Sequence, residues 1–174
     1  MLGRFLGTAS QMELGELESL YLRTFEIAAP CIPYISIHLF GEESFERGAF
    51  MAKLLDRYGQ LEFVAGDELP DHLSVMLRFA DRVEGEELYE LLHYCLLRPV
   101  QIMMERLEAS NPYVQVLGAL LEVLRGRFPG LTPAPLPVEQ KRTHSPCHEH
   151  AASSSSCGDG SCGPKETLET ANNL

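Results

Sequence analysis

Apolar residues recur at spacings of three and four along most of this chain, the period of a helix with one buried face. Leu14, Leu17, Tyr21, Phe25 and Ala28 form the first stripe. Ser10-Gln11-Met12-Glu13 ahead of it fits an S-x-x-E capping box, and Glu13, Glu16 and Glu18 crowd the first turns, where the helix dipole favours negative charge. Pro30 and Pro33 end the helix. Tyr34–Phe40 (YISIHLF) instead alternates, with Ile35, Ile37 and Leu39 on one side. That is a strand signal, but no second good strand candidate follows to pair with it, so an extended connector is expected.

The helical period returns at Glu43–Tyr58, with Met51, Leu54, Leu55 and Tyr58 inward and Gly59 as the stop. Pro70 suits the first position of the next helix, in which Leu73, Met76, Leu77, Ala80 and Val83 share a face. Glu86–Leu97 repeats the pattern through Leu88, Leu91, Leu92, Cys95 and Leu96, and Pro99 is expected to break or kink the path. Val100, Met103, Met104 and Leu107 continue it. Ser110-Asn111-Pro112 signals another start, before the cleanest stripe, Tyr113, Val116, Leu117, Leu120, Leu121 and Leu124. The links are short and no internal repeat is visible. The pattern predicts an all-α fold, a single helical bundle domain over residues 1–130. Beyond Phe128 the chain turns rich in Pro, Ser and Gly and loses its period, so residues 131–174 are expected to be a disordered tail.

Composition sharpens this picture. Of 174 residues, 45% are hydrophobic, enough for a core, and the net charge is −11. Residues 1–130 carry 11 Lys+Arg against 20 Asp+Glu, net −9, so the acidity belongs to the folded part. Such a surface repels nucleic acids and anionic lipid and attracts basic peptides, although many acidic proteins are so for solubility alone. No signal peptide and no apolar run long enough to span a membrane is visible. Five cysteines without an export signal imply reduced thiols in a cytoplasm.

Candidate chemistry is sparse. G-x-S-x-G, P-loop, G-x-G-x-x-G and H-E-x-x-H patterns are all missing, and His38, His72 and His93 are scattered, so no enzyme is expected and no cofactor is assigned. His93 reads as a hydrogen-bonded structural histidine, and Cys31 and Cys95 as buried packing. The tail holds Cys147, His148, His150, Cys157 and Cys162, soft-to-borderline ligands that suit Zn²⁺ or Cu⁺. Their C-x9-C-x4-C spacing matches no strong zinc pattern. A metal-binding protein on a helical scaffold stays as the alternative reading. Glu68–Leu77 (ELPDHLSVML) places Pro70, Asp71 and His72 at a helix mouth. Taken alone, these three read as a helix start capped by a carboxylate.

Four stretches together carry a resemblance. Leu20–Phe25 (LYLRTF) with Pro30 and Pro33 behind it, Gly41–Gly59 (GEESFERGAFMAKLLDRYG), Glu68–Ala80 (ELPDHLSVMLRFA) and Arg106–Leu124 (RLEASNPYVQVLGALLEVL) occur in the order seen in the TorD-type molybdoenzyme assembly chaperones. They resemble most the NarJ-like branch, also called nitrate reductase delta subunits, over about residues 17–125. The resemblance implies an all-α, non-catalytic cytoplasmic protein of nitrate assimilation. Such a protein binds the N-terminal segment of a molybdopterin oxidoreductase catalytic subunit until its molybdenum cofactor and iron–sulfur cluster are inserted. It implies that Pro70, Asp71 and His72 lie at the peptide-recognition surface, with Asp71 as the local acidic contact and Tyr21 and Phe25 lining or supporting it. It leaves the client open among nitrate, selenate, chlorate and hydrocarbon oxidoreductases. The family usually carries further helices before the LYLRTF stretch, which about 16 residues precede here. That leaves either a trimmed fold, prone to dimerise or swap helices, or a start upstream of Met1.

Overall fold

The computed structural model describes residues 2–137. The five Cys and His residues of the proposed metal tail lie outside them. The elements are α1 (Leu2–Ala9), α2 (Leu14–Phe25), α3 (Ile35–Phe40), α4 (Phe45–Gln60), α5 (Leu73–Ala80) and α6 (Gly85–Glu90). A π-helical turn (Leu91–Leu96), α7 (Leu97–Glu105) and α8 (Tyr113–Gly126) follow. Among the described residues there is no β-strand, only an isolated antiparallel bridge between Tyr34 and His72. The fold is all-α, as the periodicity requires.

The core gathers around α3, the π turn and α7. Ile35, Met76, Leu96, Leu97, Val100 and Met103 are fully buried. Each such side chain contributes roughly 1.5–3 kcal/mol on leaving water. α8 packs along α7, α3 lies against α4 and α7, and α1 lies on α8.

α3 is the main correction to the pattern. Its alternation suggests extended chain, with Ile35, Ile37 and Leu39 on one side and the polar Ser36 and His38 between them. Both polar residues are buried. His38 Nε2 pairs with the Ile32 carbonyl at 2.8 Å, and Ser36 is held by Asp71. A segment buried all round shows no helical stripe, so its period is uninformative. Gly41 closes α3 with φ of +91°, a conformation that favours glycine, and its N–H donates to the Ile37 carbonyl at 2.9 Å.

Smaller differences have equally local causes. Ser10 does not cap α2; its hydroxyl donates to the Gly7 carbonyl at 3.0 Å and finishes α1. Glu13 is the residue at the α2 N-cap, and its N–H donates to the Glu16 carboxylate at 3.2 Å. Leu55 is exposed, and Gly59 lies inside α4. Pro99 does not break the path. The Leu97 N–H donates to the Leu92 carbonyl, five residues back, and this widened π turn absorbs the proline's missing donor and its clash with the preceding turn.

The packed chain also runs past residue 130, where the sequence placed its boundary. Leu131 and Leu136 are buried, and the Ala134 N–H donates to the His93 carbonyl at 2.9 Å. His93 Nδ1 pairs with the Thr132 carbonyl, so His93 is a structural histidine that fastens this strap to the π turn.

Candidate functional site

The two motifs singled out in the sequence lie in different environments. Tyr21 and Phe25, one turn apart on α2, pack with their rings tilted and 5.2 Å apart. Tyr113, at the start of α8, meets Phe25 edge-on at 4.8 Å and Tyr21 at 6.5 Å. Phe5 of α1 closes the group at 5.1 Å from Tyr113. Beside this cluster runs an open groove of about 430 Å³, lined by Leu14, Leu17, Glu18, Tyr21, Leu22 and Tyr113. Tyr21 is 43% exposed and Leu14 70%, so the lining is apolar surface open to solvent.

A buried polar link fixes the two helices that form this groove. The Thr24 hydroxyl donates to the Leu20 carbonyl at 2.6 Å and accepts from Asn111 Nδ2 at 3.0 Å. Asn111 Oδ1 in turn accepts the Tyr113 N–H at 3.0 Å. Asn111 thus caps α8 and sets Tyr113 over the α2 aromatics. Sequence reasoning read Ser110–Pro112 as a helix start but did not see that its partner would be Thr24.

Asp71 is fully buried, which corrects the expectation that it offers an acidic surface contact. Its carboxylate Oδ2 accepts the Ser36 N–H at 3.3 Å and the Ser36 hydroxyl, and its carbonyl accepts the Ile35 N–H at 2.9 Å. Ser36 Oγ also accepts from Arg47 Nε of α4 at 2.9 Å. Asp71 therefore caps α3, a helix 35 positions away in the chain, and not α5, which it precedes. Pro70 is buried too; its carbonyl accepts the Tyr58 hydroxyl at 2.8 Å. It lies ahead of α5 rather than at its first position, because α5 starts at Leu73.

His72 fills the N-cap of α5. Its Nδ1 accepts the Ser74 N–H at 3.3 Å and pairs with the Ser74 hydroxyl at 2.8 Å. The imidazole meets the Tyr34 ring edge-on at 5.4 Å, and it is only partly buried. The carboxylates of Glu26 and Glu68 act both on Tyr34 at this end and on Tyr21 in the aromatic cluster. Partial burial raises the phenol pKa of Tyr34, and the carboxylates of Glu68, Glu26 and Asp71 add to it. Tyr21 is raised by burial and then by the same Glu26 and Glu68. An exposed aromatic surface therefore sits under a shared negative potential. Tyr34 was missed in the sequence because it was read as the first residue of an extended segment.

Other reactive groups are quiet. Burial pushes the Cys31 and Cys95 thiols up to about 12, so both stay protonated at neutral pH. Among the described residues, no three His, Cys, Asp or Glu side chains converge on a metal-sized point. No helix among them is long and apolar enough to cross a membrane.

The family model for the nitrate reductase delta subunit matches residues 1–110. The chain belongs to the nitrate reductase delta subunit family. This is a family of non-catalytic maturation chaperones whose partner is the catalytic subunit of nitrate reductase. The matched region of this delta-subunit family member runs from α1 through α7 and includes Tyr21, Phe25, Pro70, Asp71 and His72. It stops short of Tyr113, which completes the aromatic cluster. No curated protein and no solved structure matches the chain.

Proposed function

We propose that this protein is a cytoplasmic chaperone that holds the N-terminal segment of a nitrate-reductase-type molybdopterin oxidoreductase catalytic subunit. It keeps that subunit from its membrane partners or export until the molybdenum cofactor and iron–sulfur cluster are in place. The observation that carries this reading is the solvent-open aromatic groove between α2 and α8, beside Glu18, Glu26 and Glu68. An amphipathic segment would lay its apolar face on Tyr21, Leu17 and Tyr113. Its Lys or Arg side chains would meet the carboxylates, which speeds association and sets register.

In this reading the five residues first singled out divide by role. Tyr21 touches the segment, and Phe25 backs it. His72, with Tyr34, forms the far rim. Asp71 and Pro70 touch nothing outside the protein; they hold α3 and the start of α5 where the rim needs them. The deciding experiment is an affinity pull-down from the native organism grown anaerobically, followed by mass spectrometry. Recovery of a molybdopterin oxidoreductase catalytic subunit is expected and names the client. Recovery of no such subunit, with Zn²⁺ or Cu⁺ held by the Cys/His tail, would replace this function with the metal-binding one.

A further inference from the structure

We propose that α1 is a resident occupant of the groove's Tyr113 side, docked through Phe5, and that the client segment displaces it. The inference rests on the reading that this groove takes a client segment, and adds how its Tyr113 edge is covered and freed.

Three observations carry it. First, α1 is weakly held. It buries none of its eight residues, and Leu2 and Leu6 stay 50% and 59% exposed although they flank Phe5 on its apolar face. A helix this short is marginal in water unless its apolar face is covered. Second, its one aromatic side chain sits on the ring that the groove offers. Phe5 lies 5.1 Å from Tyr113, and Tyr113 both lines the groove and meets Tyr21 and Phe25 edge-on. Third, its chemistry matches what the groove should take. Residues 1–12 carry Arg4 and no acidic side chain, in a folded part whose net charge is −9. An apolar, weakly cationic helix is thus already seated against the Tyr113 edge of the groove that an apolar, cationic partner helix is expected to fill.

The joint between α1 and α2 allows the exchange. α2 carries its own start signal in the Glu13 N–H bond to Glu16, so it does not depend on α1 for its first turn. The Thr24–Asn111–Tyr113 link holds α2 to α8 without any α1 residue. When α1 lifts, the binding surface stays assembled and the Tyr113 face becomes free. Occupancy of a site by a resident segment lowers apparent affinity by the fraction of time the site is open.

The test uses the full chain and a synthetic peptide copying the N-terminal segment of the nitrate reductase catalytic subunit from the same organism. Phe5→Ala removes the docking ring, and the peptide should bind this variant roughly three- to tenfold more tightly than wild type. In wild type, hydrogen exchange should show the α1 amides losing protection as the peptide saturates. A weaker Phe5→Ala complex, or α1 amides that gain protection with peptide, would make α1 a wall of the site and overturn the inference while leaving the proposed function intact. Peptide binding absent from both proteins would overturn the proposed function and this inference with it. Protection of α1 that rises with protein concentration alone would place α1 on a second copy, which also overturns it.

Discussion

The Leu69–His72 stretch and the Leu20–Phe25 stretch are both short motifs at helix ends with the same apparent promise, a polar or aromatic group aimed at a partner. The fold treats them oppositely. Asp71 is turned inward, where its carboxylate caps α3 and joins Arg47 of α4 through Ser36. Tyr21 is turned outward on α2 over an open groove, backed by Phe25 and Tyr113. The difference teaches that a carboxylate beside a helix start is not evidence of a surface charge. A short helix buried among other helices has N–H groups that water cannot reach, and only a side chain from elsewhere can satisfy them.

This comparison breaks most visibly at Asp71. Asp71→Ala strands the Ser36 N–H and hydroxyl and removes the carboxylate behind Arg47, and should cost about 3 kcal/mol in urea unfolding. Asp71→Asn keeps one acceptor for Ser36 and should cost clearly less. A near-neutral Asp71→Ala with weakened peptide binding would return Asp71 to the recognition surface. Tyr21→Ala should behave in the reverse way. Peptide affinity should fall by about 2 kcal/mol in calorimetric titration, with stability changed by no more than about 0.5 kcal/mol. If Tyr21→Ala unfolds the protein instead, the cluster is core and the two motifs do not differ.

Milder changes sharpen the same contrast. Tyr58→Phe deletes the hydroxyl that donates to the Pro70 carbonyl and should cost about 1 kcal/mol, without touching peptide affinity. His72→Ala sits between the two cases. It removes the α5 N-cap, worth about 0.5–2 kcal/mol, and should also loosen peptide binding if the Tyr34–His72 rim is used. The gentlest effect is on pH. Burial holds His38 below its ordinary value of 6.5, with Arg106 adding to this and the Ile32 hydrogen bond opposing it. The unfolded chain therefore binds a proton first as pH falls. The contribution of His38 is fully present above 6.5 and is lost as pH drops from there toward its depressed folded value. Unfolding midpoints of wild type and His38→Gln across that window should converge as the pH falls; parallel curves would remove His38 from the acid response.

How much was legible in the sequence follows from where each residue faces. α4, α5 and α8 each show one buried and one solvated side, so their apolar stripes could be read directly; α2 showed its helical period, but its stripe of Leu14, Leu17 and Tyr21 lines the open groove, and Leu20 and Thr24 are its buried residues. The apolar run through Pro99 was also read, but not the π turn that lets it continue, because a carbonyl moved by one position leaves no mark in the residue types. α3 was misread because both its sides are buried. The strap at residues 131–136 was missed because Leu131 and Leu136 are held by position and not by period. The candidate site was half legible. Tyr21 and Phe25 were named, while Tyr34, Thr24 and Asn111 matter only through partners far away in the chain.

The sequence by itself determined the helical class, the acidic body and the two motifs, since period, charge and local residue types are properties of neighbours along the chain. Tertiary structure alone decided that Asp71 serves α3, that Tyr113 completes the aromatic groove, and that Phe5 rests on it. Each of these depends on which unsatisfied donors and which uncovered rings are brought together by packing, and no local window of sequence contains both partners.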